Sequence, residues 1–409
     1  MPRPSIAVLG GGVLGITNAL ALALMGARVT VYTRHRADTD QGRHRPLMAS
    51  LYPAASVIPH RVTVDDVVAH MRDSQACFEV LRRSGTCGVR LQRHYEVFET
   101  PPNGPPDYAE AMHGFSMLPA DGSGTPHVPR RPGVEAVFGW RFRTYVADPP
   151  TYLPRLFHLF EQLGGEITQR TLTRDALDDL SEDVLVNALG AGSRAVFPDD
   201  RPATFLRGCL VYADAPPTGR MPGPTPLASY NYTPTSDVYP THDGTPGTLY
   251  VYPRLDAWVL GGSARPGRIT PDGEWSGQPI AGPTRTVDGQ TVPASVVETN
   301  AAILQQWTGH DVLSGRLRAT FGVRYVRDPE DEGVCLRSEV INGRRVIHCH
   351  GHGGAGVTLS WSSACRVLRL LFQNNRVTNA FSPPSSSPSE SEDVLLQHLF
   401  AVIQRCIGQ

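Results

Sequence analysis

Two glycine clusters mark where the backbone itself could do chemistry. Gly10-Gly11-Gly12-Val13-Leu14-Gly15 carries the GxGxxG spacing. The first glycine permits a tight turn, the second lets backbone approach a pyrophosphate, and the third lets helix and strand pack closely. A diphosphate there would meet free N–H groups and the positive end of a helix dipole. The second cluster, His348-Cys349-His350-Gly351-His352-Gly353-Gly354-Ala355-Gly356, mixes metal-ligand side chains with glycines. His348 and His350 fall on a strand pattern, His352 sits between glycines, and no acid or second cysteine follows at ligand spacing, so a metal site is the poorer reading. The better one is a second backbone cradle for the same nucleotide. All 38 basic residues are arginine. The absence of lysine excludes a pyridoxal-phosphate Schiff base and a P-loop lysine.

The elements around these clusters suit that purpose. Ser5–Leu9 reads as a buried parallel strand, Ile16–Met25 as an apolar helix stopped by Gly26, and Arg28–Tyr32 as a second strand, the β-turn-α-β context that the fingerprint demands. The second strand runs into Thr33-Arg34-His35-Arg36, with Asp38 as the nearest acid. An acidic residue is expected there for the ribose hydroxyls, and arginine hints at a 2′-phosphate. Further along, helices are expected over Val64–Ser84, Pro149–Gly164 and Leu359–Gln373, and strands over Phe138–Val146, Glu166–Leu172, Val184–Leu189 and Arg345–His350. Thr248–Gly262 reads as a hairpin. Residues 101–133, 214–248 and 263–296 are rich in Pro and Gly and read as loops, 382–393 as a disordered linker, and 394–406 as a last amphipathic helix.

Composition narrows the class. The 409 residues suffice for two or three domains, and a net charge of -1 lacks the basic footprint of nucleic-acid binding. No apolar run is long enough to span a membrane, and no signal peptide is read at the start. Seven scattered cysteines argue for a reducing compartment, taken as the cytoplasm.

With these motifs in place, the chain resembles the D-amino-acid oxidase family of FAD flavoproteins. Gly351 to Thr358, with Trp361 after it, is similar to that family's C-terminal signature. Ala49-Ser50-Leu51-Tyr52-Pro53 resembles the segment along the flavin, Gln169 to Leu172 a backbone contact to FAD, Asn187 to Gly192 an asparagine-x-x-glycine turn, and Arg207-Gly208 an arginine-glycine step. Leu249 to Pro253, followed by Leu260-Gly261-Gly262, resembles the substrate-domain hairpin, and Arg324-Tyr325-Val326-Arg327 keeps the arginine-x-x-arginine spacing.

The resemblance implies a mixed α/β fold in which a Rossmann-like FAD-binding domain (1–62, 146–213 and 321–375) interleaves with an antiparallel-sheet substrate-binding domain (63–145 and 214–320), followed by a Ser/Pro linker and C-terminal helix (376–409). It implies noncovalent FAD held by Gly10, Gly12, Val13, Leu14, Gly15, Thr33, Arg34, Ala49, Ser50, Leu51, Thr171, Leu172, Gly190, Gly353, Gly354, Ala355, Gly356, Val357 and Thr358. Linkage through Cys349 or His350 is the alternative. Arg324 would fork the substrate carboxylate, Tyr250 would cover or bond the substrate, and the Gly354 carbonyl would orient the amine. Hydride would then leave the α-carbon for the flavin, the imine would hydrolyse to an oxo acid, and oxygen would be reduced to hydrogen peroxide. Tyr230 and Tyr232 would lie in a mobile lid, Tyr52 and His60 near the flavin edge, and the implied partners are an amino acid or amine and oxygen, with a homodimer compatible. Two alternatives stay open: a secondary-amine, glycine-oxidase-like enzyme, and an NADPH-dependent reductase or monooxygenase motivated by Arg34 and Arg36.

Overall fold

The computed structural model describes residues 4–40, 45–52, 56–60, 62–119, 128–197, 203–214, 228–254, 257–270, 272–327, 333–372 and 390–408. Its first strand and helix form where the apolar run and the glycine turn require them. All five residues of β1 (Ser5–Leu9) are buried. Helix α1 (Val13–Leu24) is apolar on nearly every side because it packs against β1 and β2 (Arg28–Thr33) and against two further helices, α3 (Pro149–Gln162) and α6 (Ser360–Phe372). The chain divides into two compact units, the first comprising Met1–Arg90, Tyr145–Thr204 and Arg324–Gln409.

The sheet of the first unit adds β6 (Glu166–Gln169), β7 (Val184–Asn187), β17 (Cys335–Ile341) and β18 (Arg344–His350), in the order β17-β18-β7-β1-β2-β6. All neighbours are parallel except β17 with β18. The register aligns Thr168, Tyr32, Leu9, Asn187 and His348 across the sheet. Every segment expected to touch the cofactor from a strand end therefore leaves the sheet at its carboxyl edge, where ligands of open α/β sheets bind.

The second unit comprises Leu91–Thr144 and Phe205–Val323. Its large sheet is built from β3 (Val89–Phe98), β4 (His113–Met117), β5 (Phe138–Ala147), β8 (Ala203–Asp214), β9 (Ala228–Thr233), β10 (Leu249–Pro253), β11 (Ala257–Gly261), β12 (Arg265–Ile269), β13 (Trp275–Gly277) and β16 (Leu317–Arg327). One end each of β3, β5, β8 and β16 falls in the first unit's segments. Helix α5 (Ala294–Thr308) packs on β10, on β11 and on a hairpin of β14 (Thr284–Val287) and β15 (Gln290–Pro293).

Several sequence expectations need correction here. Helix α2 (Val67–Ser84), expected in the substrate domain, belongs to the first unit, where His70, Met71, Ser74, Cys77 and Phe78 are buried and the helix packs on α6. Strand β8, assigned through residue 213 to the FAD domain, falls largely in the second unit because it pairs with β11 and β12. Residues 390–393 are not linker but the first turn of α7 (Glu390–Ile407); 382–389 lie outside the described residues. Helix α7 is no appendage, since Leu395, Leu396, Leu399, Val402, Ile403 and Cys406 are buried and the helix packs on α1, α2 and α6.

The Pro/Gly-rich stretches also hold strands: β4 within 101–133, β9 within 214–248, and β12 to β15 within 263–296. Residues 120–127 and 215–227 lie outside the described residues. Tyr230 and Tyr232 are not lid residues. Both are fully buried on β9, one hydroxyl donating to Asn300 Oδ1 (2.9 Å) and the other to Glu99 Oε1 (2.7 Å). On β9, aromatic residues paired across strands outweigh the local glycine and proline: Tyr230 lies opposite Tyr95 and Val251, and Tyr232 opposite Val97 and Leu249.

Candidate active site

The first glycine turn is shaped by close packing. Gly10 has φ +112°, and a Cβ there would lie 2.5 Å from the Ala188 carbonyl oxygen; one on Gly15 would lie 1.8 Å from the Gly10 carbonyl oxygen. Neither position admits another residue. Gly12 differs, since a Cβ would meet only Ser50 Oγ at 3.0 Å and then nothing closer than 4.0 Å. The added atom would stand in open space, as expected where a ligand approaches the backbone. Side chains brace the turn: the Gly11 N–H donates to Thr33 Oγ1 (2.9 Å), whose hydroxyl donates to the His35 carbonyl (2.6 Å), and the Val13 N–H donates to Ser50 Oγ (2.9 Å). Ser50 stands in a single 3-10 turn, Ala49–Leu51, in which Leu51 is buried.

The second glycine turn meets the first. A Cβ on Gly356 would lie 3.8 Å from Val13 Cγ1 with nothing nearer. Gly353 is left-handed (φ +51°), Gly354 is exposed, and the turn closes through Ala355 N–H to the His352 carbonyl (2.8 Å) and Leu359 N–H to the Ala355 carbonyl (2.9 Å). Val357 and Thr358 are buried, and the Thr358 hydroxyl donates to the Ile58 carbonyl (2.9 Å). A third turn, Gly190–Gly192, follows β7 and leads into the short helix α4 (Ser193–Val196); Gly190 has φ +57° and a Cβ there would meet nothing within 4 Å. Open backbone at Gly12, Gly190 and Gly356 on one sheet edge fits an extended dinucleotide such as FAD.

The flanking residues divide. Thr171 is exposed just past β6, and Leu172 packs beside Tyr32 and Leu189 on the cluster containing Leu9. Arg34 is exposed, and its carbonyl accepts from Gln169 Nε2 (3.2 Å). Arg36 is spent: its guanidinium forks Asp38 (3.0 and 2.7 Å), donates to Glu161 (3.1 Å) and lies over the Phe157 ring. A cation so neutralised is poorly suited to a 2′-phosphate, which removes half the motive for the NADPH alternative. Tyr52 Oη accepts from the Arg45 backbone N–H (2.8 Å), a structural contact.

The histidines and the cysteine are also committed. Cys349 faces α1, accepting from Asn18 Nδ2, and burial pushes its thiol up to about 12. A thiol held protonated is a poor point of flavin attachment. Burial holds His352 down at about 3, and its Nε2 pairs with Ser363 Oγ (2.8 Å). Burial likewise lowers His350 well below its ordinary value. Among the described residues, no three His, Cys, Asp or Glu side chains are grouped to hold a metal.

Arg324 is half-buried on β16, and Val326 forms an antiparallel bridge with His352. Arg324 lies two residues before that bridge on its strand and Gly354 two after on the turn; because the bridge is antiparallel, these two expected substrate-binding positions fall on the same side of it, facing each other across strand and turn. Arg327, on the opposite face, is buried, donates from Nη1 to the Gly333 carbonyl (2.9 Å) and packs so close that a Cβ on Gly351 would lie 2.7 Å from its Cδ. Tyr250 belongs to the second unit. Its ring covers Gly261 on β11, where a Cβ would come within 2.2 Å of it, and stands edge-on to Tyr252.

The sequence reads Asn187 as the start of a turn and His348 as a strand residue after setting it aside as a metal ligand; neither reading anticipates their contact. The buried Asn187 side chain reaches Leu189, Ser193 and His348. A polar residue ending an apolar strand just before a glycine turn was the available signal.

Comparison with known proteins agrees with this geometry. The profile of the DAO family, described as FAD dependent oxidoreductase, matches residues 5–368. The chain is 28% identical to D-amino-acid oxidase of Streptomyces coelicolor over 378 residues, 89% of this chain and 96% of that protein. It is 26% identical to D-aspartate oxidase of Homo sapiens over 390 residues, 91% and 95% of the two. Among solved structures, glycine oxidase from Geobacillus kaustophilus is similar with a TM-score of 0.59 at 16% identity, covering 93% of this chain and 97% of that one. Iminodiacetate oxidase from Chelativorans sp. BNC1 follows at 0.56 and 16%, covering 94% and 97%. At such identity the structural likeness speaks for the fold alone.

Proposed function

The chain belongs to the FAD-dependent oxidoreductase family of D-amino-acid oxidase type, and on that premise we propose that it oxidises a small amino acid at its α-carbon. The observation that carries the reading is the position of Arg324 and Gly354 about one strand-to-turn bridge, beside the paired glycine turns. Bound FAD supplies the two-electron acceptor, with oxygen as the terminal oxidant. The glycine turns at 10–15, 190–192 and 353–356 would hold it through backbone N–H groups, with Thr33 and Ser50 keeping the first turn in shape.

Arg324 would fork the substrate carboxylate, a planar donor suited to a planar anion. The Gly354 carbonyl would accept from the substrate amine and keep its α-hydrogen directed. With the amine neutral, this assignment gives no residue the role of general base, and the resulting imine hydrolyses in water to an oxo acid. Tyr250 is retained as a substrate contact on the resemblance alone. A D-amino acid is the first candidate because D-amino-acid and D-aspartate oxidases are among the relatives in sequence. An N-substituted amino acid would need the same arginine and carbonyl.

The test is a peroxide assay across D-, L- and N-substituted amino acids, with the spectrum of the bound flavin recorded. Turnover of amines lacking a carboxylate, and of no amino acid, would overturn the substrate class. No helix is long and apolar enough to cross a membrane. A cytoplasmic location is part of the proposal, supported by seven buried cysteines, none of them in a disulfide, as is a homodimer, for which sedimentation is the measurement.

A further inference from the structure

The most complete polar network at the sheet's carboxyl edge involves residues to which no role has been given. The pleat of three adjacent strands turns Glu339 of β17, His348 of β18 and Asn187 of β7 to one face, opposite the Cys349 side. His348 Nε2 lies 2.7 Å from Glu339 Oε1, and His348 Nδ1 lies 2.9 Å from Asn187 Nδ2. Asn187 Nδ2 also donates to Ser193 Oγ (2.8 Å), while its Oδ1 accepts the Leu189 N–H (3.3 Å). Asn187, Ser193 and His348 are nearly fully buried, whereas Glu339 is 39% exposed; Ser193, His348 and Glu339 line one cavity of about 230 Å³ together with Phe197, Arg337 and His350.

These contacts assign the Asn187 amide and the His348 tautomer. The Leu189 N–H can only donate, so the Asn187 atom facing it is the oxygen. The amide nitrogen therefore donates its two hydrogens to Ser193 and to His348 Nδ1, which must be an acceptor. His348 consequently carries its proton on Nε2, and the Glu339 carboxylate, an acceptor only, holds that tautomer. The reversed tautomer would set two donors against each other at Asn187; flipping the amide would set its NH2 against the Leu189 N–H. Asn187 thus pins Leu189 and Ser193, the residues on either side of the Gly190–Gly192 turn, and Glu339 and His348 hold Asn187 in the only orientation that does so.

We propose that Glu339–His348–Asn187 is a positioning relay that fixes the Gly190–Gly192 turn for FAD. This rests on reading that turn as part of the cofactor site. His348 touches no substrate and moves no proton in the reaction. Its work is to keep one carboxamide from turning over.

The experiment is dilution of the holoenzyme, with release of FAD read as recovery of free-flavin fluorescence, in parallel with melting of the apoprotein and the substrate KM of the still-loaded enzyme. His348→Phe keeps the edge-on ring contact with Phe197 but removes the acceptor. Loss of one buried hydrogen bond corresponds to FAD binding weakened about tenfold, with KM unchanged. His348→Gln, which can still accept from Asn187, should recover part of that loss. Glu339→Gln, altered at the exposed end, should weaken FAD by a smaller factor and guards against failure of the buried variant to fold. If His348→Phe and Glu339→Gln lower the melting temperature while FAD release matches wild type, the network is merely structural and the proposal falls. A wild-type protein that binds no FAD would instead overturn the cofactor reading beneath it.

Discussion

At the scale of single residues, the proposed function is tested most sharply at Arg324. It stands on the half-buried face of β16, opposite the face on which Arg327 is walled in. Deleting one partner of a desolvated charge pair costs about 3–5 kcal/mol, so Arg324→Ala should lower kcat/KM by about two to three orders of magnitude. Arg324→Lys should fail nearly as badly, because an ammonium cannot form the fork. Flavin content should stay normal in both. Rapid-mixing kinetics of flavin reduction decides the matter: wild-type rate and affinity in Arg324→Ala would make the residue structural. Gly12→Val tests the other half of the site. The backbone there faces open space apart from Ser50 Oγ, so the variant should fold yet retain no flavin. A yellow Gly12→Val protein would refute the cradle.

At the scale of elements, α7 changes the expectation drawn from the Ser/Pro-rich stretch before it. Its buried leucines and Ile403 cover α2 and α6, Glu392 pairs with Arg155 (2.6 Å) and accepts from Gln162 (2.7 Å), and Arg369 donates to the Cys406 carbonyl. Each buried aliphatic side chain contributes about 1.5–3 kcal/mol. Truncation after Asn375 should therefore lower the melting temperature by about 10 °C or more and release flavin as the first unit loosens. Calorimetry of the truncated chain checks this, and an unchanged melting temperature with full flavin would show the helix to be dispensable.

At the scale of the whole molecule, buried imidazoles tie stability to pH. Burial holds His70 and His352 at about 3, against an ordinary value of 6.5, and lowers His350 as well. The unfolded chain takes up these protons near pH 6.5 while the folded chain refuses them until about pH 3. Stability is thus fully present above pH 6.5 and declines as pH falls through that window. The melting temperature should drop between pH 7 and pH 4, and His70→Gln combined with His352→Asn should flatten the decline. A double variant with the wild-type slope would show that these imidazoles do not govern it.

The sequence by itself determined the local grammar: a β-branched run, a glycine turn, an apolar helix and the repeat of that pattern at Gly351–Gly356. It sufficed because the close approach of Gly15 to the Gly10 carbonyl joins residues of one turn, whereas the Ala188 carbonyl that closes on Gly10 comes from a distant strand end. It also carried the positions of Arg324, Gly354 and Tyr250, as family spacing rather than as contacts. Tertiary structure alone decided the rest. Whether Tyr230 lines a lid or a core depends on the pairing of β9 with β3 and β10, strands far away in sequence. Whether 394–406 is a tail or a core helix depends on its packing against α2 and α6, helices far apart in sequence. Asn187 acquires its constraint only when parallel register sets it against His348, 161 positions onward, because a hydrogen bond between distant side chains leaves no periodicity in the chain that encodes it.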